Sequence, residues 1–424
     1  MALRADAADE RAAVDCDVLY FFRLTDVRPS LCGESAMPAT AKPFSQFTHI
    51  ALENWRNFLR VDIDLTRRVF LVGPNASGKS NFLDVFRFLH DIVAIGGGFQ
   101  AAVERRGGVS KLRALAARRY PEISIRVELA DRELLNRWQY ELRFEQDNIR
   151  RVIIRGERVT QNGTVLLDRP NDSDREDPER LSQTYLEQVN VNRAFRGIAE
   201  FFQTVRYLHI VPQLVREPDR SVGRKNDPYG GDFLEQIART PANTLQARLR
   251  RIREALQVAV PQLQELDIWR DERGTPHLRG KYEHWRPQGA WQTEEQFSDG
   301  TLRLLGLLWA ALDGNGPLLL EEPELSLHPD VVRYIPQMLA RLQQRSGRQI
   351  LISTHSTDLL RDEGIGLDET LLLEPSAEGT RVRTAGSFHD IPVLLAGGLS
   401  LAEAVMPRVQ PKHVQQLSLF GEDA

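Results

Sequence analysis

From Phe47 onward the chain alternates apolar and polar positions. "FTHIALENWRNFLRVDIDL" predicts strand structure ending in "VDIDL", and "RRVFLVG" predicts a short buried strand that runs into a glycine turn. The period then changes. In "KSNFLDVFRFLHDIVAI", Phe82, Val85, Phe86 and Leu89 fall on one face of a helix. "EISIRVELA" and "WQYELRFEQDNIRRVIIRGERVT" return to meandering strands, and "QNGTVLL" supplies an Asn-Gly turn. Residues 171–189, "NDSDREDPERLSQTYLEQV", are charged enough to predict a solvated loop and helix. "RAFRGIAEFFQTVRYLHIVP" predicts a helix followed by a strand, and "VREPDRSVGRKNDPYGGD" a polar loop. "TLQARLRRIREALQVAVPQLQEL" predicts an amphipathic helix ending near Pro261, without the sustained heptads of a coiled-coil arm. "PLLLEEPE" and "RQILISTHS" predict two further buried strands. Mixed strands and helices of this kind predict an α/β fold. Residues 1–44 lack periodicity and are expected to be a leader, disordered or not native, with Met37 as the true start.

Composition narrows the class. A length of 424 residues suits one large or two medium domains, and 42% hydrophobic with 27% charged residues is ordinary for a globular protein. The net charge of −4 gives no global basic field for nucleic acid, although the 55 Lys and Arg residues leave room for a local one. Cys16 and Cys32 both precede the first element, so a disulfide framework is not expected and a reducing cytoplasm fits. The N-terminus lacks an apolar signal core, and no apolar run reaches the roughly 18 residues of a membrane span.

Three motifs carry chemistry. Gly73, Pro74, Asn75, Ala76, Ser77, Gly78, Lys79 and Ser80 complete G-x-x-x-x-G-K-[ST] between an apolar strand and a helix, with Asn81 next in line. The glycines let backbone N–H groups turn toward phosphates, and the helix start adds positive potential. Lys79 is assigned to the β- and γ-phosphates and Ser80 to Mg²⁺. The strand "LLLEEPELSLHP" ends in two acids: Glu321 is assigned to the metal and Glu322 to the attacking water. His355 ends the strand "ILISTHS", where an imidazole could contact a γ-phosphate, although a lone histidine is more often structural. "SDGTLR" at 298–303 opens a long apolar helix, with Ser298 as its N-cap.

In order, "NWRNF", "GPNASGKS", "SDGTLR", "LLLEEPELSLHP" and "STHS" resemble the ABC-type ATPase heads of the SMC, RecF and RecN group. The match is nearest to the AAA-type branch of single-chain ATPases related to the ATPase domain of OLD-family proteins. The resemblance covers roughly residues 47–130 and 290–375. It implies a P-loop NTPase fold with a mixed central sheet, an antiparallel meander lobe and a helical insertion. It also implies ATP and Mg²⁺ as ligands and a homodimer that closes around ATP. Ser298 and Gly300 match the residues that reach the γ-phosphate of the opposite protomer. Leu325-Ser326-Leu327-His328 matches the D-loop, His355 the switch histidine, and Arg56 a residue approaching the phosphates. Glu321 stands where many such heads carry Asp. No Q-loop glutamine can be placed, and Gln100 is a poor candidate. The expected organisation is a leader (1–44), the head's N-terminal part (45–130), lobe strands with an insertion (131–289), the head's C-terminal part (290–390) and a tail (391–424). Fewer than 70 residues follow His355. A TOPRIM domain is therefore not expected, and any nuclease activity is assigned to a separate effector chain.

Gln416-Leu417-Ser418-Leu419-Phe420 resembles the bacterial sliding-clamp-binding peptide; the competing reading packs the same side chains on the domain as a strand. The functional expectation is an ATPase in DNA repair or in antiviral, foreign-DNA defence. The alternative is a nucleotide-gated scaffold on the clamp with little turnover. A transporter's nucleotide-binding subunit fits less well, because the head is interrupted.

Overall fold

The computed structural model describes residues 45–117, 121–221, 227, 229–284 and 290–410. The leader and the 416–420 peptide lie outside the described residues.

The first alternating stretch is a hairpin. β1 (Gln46–Trp55) pairs antiparallel with β2 (Phe58–Asp64), and Arg56 in the turn is left-handed, with φ 52°. β3 (Arg68–Val72) is buried along its whole length and leads to α1 (Lys79–Val93). The four residues placed on one face of α1 are all fully buried. β4 (Ile123–Ala130), β5 (Arg137–Gln146), β6 (Val152–Gln161) and β7 (Thr164–Arg169) complete a six-stranded antiparallel sheet, ordered β2-β1-β4-β5-β6-β7. The Asn-Gly turn joins β6 to β7, with φ of 47° at Asn162 and 83° at Gly163.

Further along come β8 (Arg206–Leu208), α2 (Ala242–Ala259), β9 (Leu263–Arg270), β10 (Pro276–Tyr282) and β11 (Ala290–Thr293). The last three strands form a small antiparallel sheet of their own, β9 and β10 in the stretch expected to hold lobe strands and a helical insertion (131–289) and β11 just beyond it. α3 (Asp299–Leu312), β12 (Leu318–Glu321), α4 (Pro329–Ser346), β13 (Ile350–Thr354), β14 (Thr370–Ser376) and β15 (Gly379–Thr384) complete the centre. The central sheet runs β15-β14-β3-β13-β12-β8, parallel except for β15.

Alternation along the central strands divides the core in two. Leu71, Leu319, Leu351 and Leu371 point to one side, where α1 lies among residues of the meander sheet. Phe70, Leu320, Ile352 and Leu372 point to the other, toward α2, α3 and α4. A side chain splices the two sheets. Gln349, fully buried just before β13, accepts from the Phe47 amide (2.8 Å) and donates to the Phe47 (2.7 Å) and Thr66 (2.8 Å) carbonyls.

Two expectations change. The 171–189 segment is not simply solvated: Asp174, Thr184, Tyr185 and Leu186 are buried, because Arg169 at the end of β7 draws Asp174 inward. The beginning of the supposed tail folds as α5 (Asp390–Ala396) and α6 (Leu401–Val409), whose Ile391, Leu401 and Val405 join the second core.

Candidate active site

The phosphate loop leaves the buried end of β3 between two parallel neighbours, β13 and β14. Its outer residues, Asn75, Ala76 and Ser80, are exposed, while Ser77 and Lys79 are buried. Gly78 has φ 98°, and a Cβ there would lie 2.1 Å from the Asn57 amide nitrogen, so only glycine fits. Three side chains brace the loop from outside. Asn57 donates to the Ser77 carbonyl (2.9 Å) and accepts from the Asn81 amide (2.7 Å). Thr380 donates its hydroxyl to the same Ser77 carbonyl at 2.8 Å. Trp55 donates its indole N–H to the Asn81 carbonyl at 2.9 Å. The "NWRNF" turn is thus a support for the loop. Sequence reasoning singled out Arg56 there and passed over Asn57.

The strand-end acids converge on this loop. Ser80 Oγ donates to Glu321 Oε1 at 2.5 Å, and the Tyr207 hydroxyl from β8 donates to Glu321 Oε2. Burial, followed by the neighbouring Glu321 charge, pushes the Tyr207 phenol well above its usual range, so it stays a donor. The Arg87 guanidinium lies over the Tyr207 ring at 4.3 Å. Tyr207 sits on a three-residue edge strand that carries no motif, which is why the sequence did not reveal it.

Glu322 faces two nitrogen groups. Its Oε1 lies 3.8 Å from Lys79 Nζ and 3.1 Å from His355 Nδ1. Its backbone is left-handed at φ 43°, a conformation that side-chain-bearing residues rarely adopt outside sites that require it. Lys79 itself donates to the Gly73 (2.9 Å) and Pro74 (3.2 Å) carbonyls. Burial lowers the pKa of its ammonium, against the opposing pull of Glu322, Glu324 and Glu321. Glu324, two residues on, is buried and accepts from the Thr354 hydroxyl at 2.5 Å. The hydroxyl of Ser80 against a Glu321 carboxylate at a helix start is a hard-oxygen pair, the donor set Mg²⁺ takes beside substrate phosphates.

The remaining predicted residues lie as follows. Ser298 caps α3, accepting from the Thr301 amide at 3.1 Å. Gly300 packs so closely on the next turn that a Cβ would lie 2.5 Å from the Ser326 carbonyl oxygen. Among the described residues, no hydrogen bond joins Ser298 or Gly300 to the phosphate loop of the same chain; Ser298 bonds Thr301, and Gly300 adjoins the turn after the acids. Arg56 donates to Asp84 Oδ2 at 2.8 Å. Burial would raise the Asp84 carboxyl, but Arg106, Arg87 and Arg56 outweigh it and hold it below the usual range. Gln100 bonds the Val152 and Ser182 carbonyls, at 3.0 and 2.8 Å, as a structural residue would.

Residues 68–362 match the family described as AAA domain, putative AbiEii toxin, Type IV TA system. Solved structures with a similar course include an SMC head bound to the C-winged helix domain of ScpA, 12% identical, covering 80% of this chain and 97% of that one with a TM-score of 0.48. The SMC head domain from Thermotoga maritima is 12% identical, with coverages of 80% and 98% and a TM-score of 0.41. An SMC head with an extended coiled coil from Pyrococcus furiosus, bound to the C-terminal domain of ScpA, is 12% identical, with coverages of 83% and 99% and a TM-score of 0.45. No curated protein matches the chain.

Proposed function

Because the chain belongs to this AAA-domain family, we propose that it binds and hydrolyses ATP on an ABC-type P-loop fold and that two copies close around the nucleotide. The carrying observation is the convergence of Ser80, Glu321, Lys79, Glu322 and His355 at the ends of three adjacent parallel strands. Loop amides from Gly73 to Lys79 hold the phosphates, and Lys79 exchanges its two carbonyl partners for phosphate oxygens. Ser80 and Glu321 would hold Mg²⁺, which supplies charge neutralisation at the phosphates when bound. Glu322 accepts the proton of the attacking water, and His355 holds that carboxylate in place. Ser298 and Gly300 serve the γ-phosphate of the other copy, a role supported by their place at the N-cap and first turn of α3.

The output of this cycle is DNA repair or defence against foreign DNA through a separate nuclease effector. The family description, which names a toxin of a type IV TA system, favours defence. Kinship with the OLD-type ATPase domain belongs to this same reading. Recruitment to the sliding clamp through Gln416–Phe420 belongs to the alternative, a nucleotide-gated scaffold with little turnover. No helix among the described residues is long and apolar enough to cross a membrane.

The test is the solution mass of Glu322→Gln protein with and without Mg-ATP. Doubling with ATP, abolished by Ser298→Arg, is the expected result. A mass that ATP leaves unchanged, together with tight ATP binding, would overturn closure around the nucleotide. DNA-stimulated turnover separates the enzyme from the scaffold.

A further inference from the structure

Glu324 lies close behind the two site acids, and neither role above uses it. Its residue is 7% exposed. Oε1 accepts the Thr354 hydroxyl at 2.5 Å and the His355 amide at 3.4 Å, whereas Oε2 is buried with no hydrogen-bond partner. A buried carboxyl with one idle oxygen is costly compared with an apolar side chain, so stability alone does not account for an acid here. Its placement does. The Glu322 amide bonds the Ser353 carbonyl at 3.0 Å. The acid-bearing turn is therefore fastened to the end of β13 twice, through the Glu322 backbone and through the Glu324 side chain. Directly beyond the second fastening, His355 Nδ1 meets Glu322 Oε1 at 3.1 Å.

We propose that Glu324 is a positioning residue for ATP hydrolysis: it fixes the Thr354–His355 backbone so that the imidazole stays against the Glu322 carboxylate. The proposal rests on the ATPase reading. Burial raises the pKa of the Glu324 carboxyl, and in either protonation state Oε1 accepts from Thr354. Glutamine keeps that acceptor at the same reach. Leucine keeps the volume and removes it.

Two readouts on the full chain test this. Glu324→Leu is expected to lower kcat about 10–100-fold with KM for ATP within about twofold, the cost of a displaced catalytic group rather than of lost binding. Glu324→Gln recovers most of that loss. Glu324→Leu combined with His355→Ala is no slower than His355→Ala alone, because one residue acts through the other. The second readout is the imidazole nitrogen NMR spectrum of histidine-labelled protein, with His355 assigned by its disappearance in His355→Ala. Glu324→Leu moves the His355 resonances, and Glu324→Gln leaves them in place. Unmoved resonances in folded Glu324→Leu, or losses that multiply in the double variant, overturn the proposal. If the parent hydrolyses no ATP, the ATPase reading fails, while the spectrum still decides whether Glu324 places His355. Should Glu324→Leu not fold, Thr354→Val removes the donor of the same bond and is judged by the same outcomes.

Discussion

Replacing Arg169 with methionine tests whether one buried cation holds the end of the meander sheet to the segment that follows it. The side chains of Arg169, Glu157 and Asp174 are each 0% exposed. The guanidinium donates to Glu157 at 2.9 Å, to Asp174 at 2.7 Å, and to the Gln183 (3.0 Å) and Arg180 (2.8 Å) carbonyls. It also lies 3.7 Å from the centre of the Tyr185 ring. Deleting one partner of a buried ion pair costs about 3–5 kcal/mol, and here one cation serves two acids, which places the loss near the upper end at neutral pH. Making the whole cluster apolar does not restore the loss, because Glu157 also accepts from the Tyr185 (2.7 Å) and Leu186 (3.1 Å) amides. Those amides would be left buried and unpaired.

The pH dependence gives a second check. Burial opposes ionisation of Asp174, but Arg169 outweighs it and holds the carboxyl below the usual range. That contribution is complete above about pH 4 and is lost as pH falls through the folded value. In Arg169→Met, Glu157, whose pKa burial already raises in the parent, loses its cation, so folding takes up protons there and the variant gains stability as pH falls. The gap between parent and variant is therefore widest at neutral pH and narrows toward about pH 5. Denaturant unfolding followed by circular dichroism measures the gap, and hydrogen exchange at Tyr185 and Leu186 locates it. A loss below about 1 kcal/mol at neutral pH, or a gap that widens in acid, would refute the reasoning.

Three further outcomes are expected. Gly78→Ala pays about 1–2 kcal/mol for a left-handed alanine before any clash with Asn57, and loses nucleotide binding as measured with a fluorescent ATP analogue. Tyr207→Phe removes one hydroxyl from Glu321 and weakens the Mg²⁺-dependent part of nucleotide affinity about tenfold, read as the affinity ratio with Mg²⁺ and with chelator; an unchanged ratio counts against the brace. Asp84→Asn removes stability that Arg106, Arg87 and Arg56 confer on a depressed carboxyl. The difference from the parent is full at neutral pH and closes as pH drops below about 4, measured by thermal melts across pH.

The site was largely legible because its parts are written as contiguous motifs. A phosphate loop must show its glycines in order, and strand-end acids must follow an apolar run. What escaped depends on partners distant in sequence. Tyr207 matters only because a three-residue strand lies beside β12. Asp174 reads as solvated until Arg169 is seen to be buried with it. Glu324 was visible in the same stretch as Glu321 and Glu322, yet its meaning lies in Thr354, across the neighbouring strand. The small β9–β11 sheet was missed for another reason. In "LQELDIWR" the buried Leu263 and Leu266 fall three apart, which breaks the strand period. The helices of 390–409 are interrupted by Pro392, Gly397, Gly398 and Pro407, which hide their spacing.

Gln349 gives β13 two distinct ends. At one end, a single amide group completes the hydrogen bonding between sheets that share no strand. At the other end, after five fully buried residues, stands His355. A strand of that length is about 17 Å long and does not stretch. The fastening to β1 at Phe47 and the imidazole beside Glu322 are thus the two ends of one buried strand, paired along its length with β3 and β12.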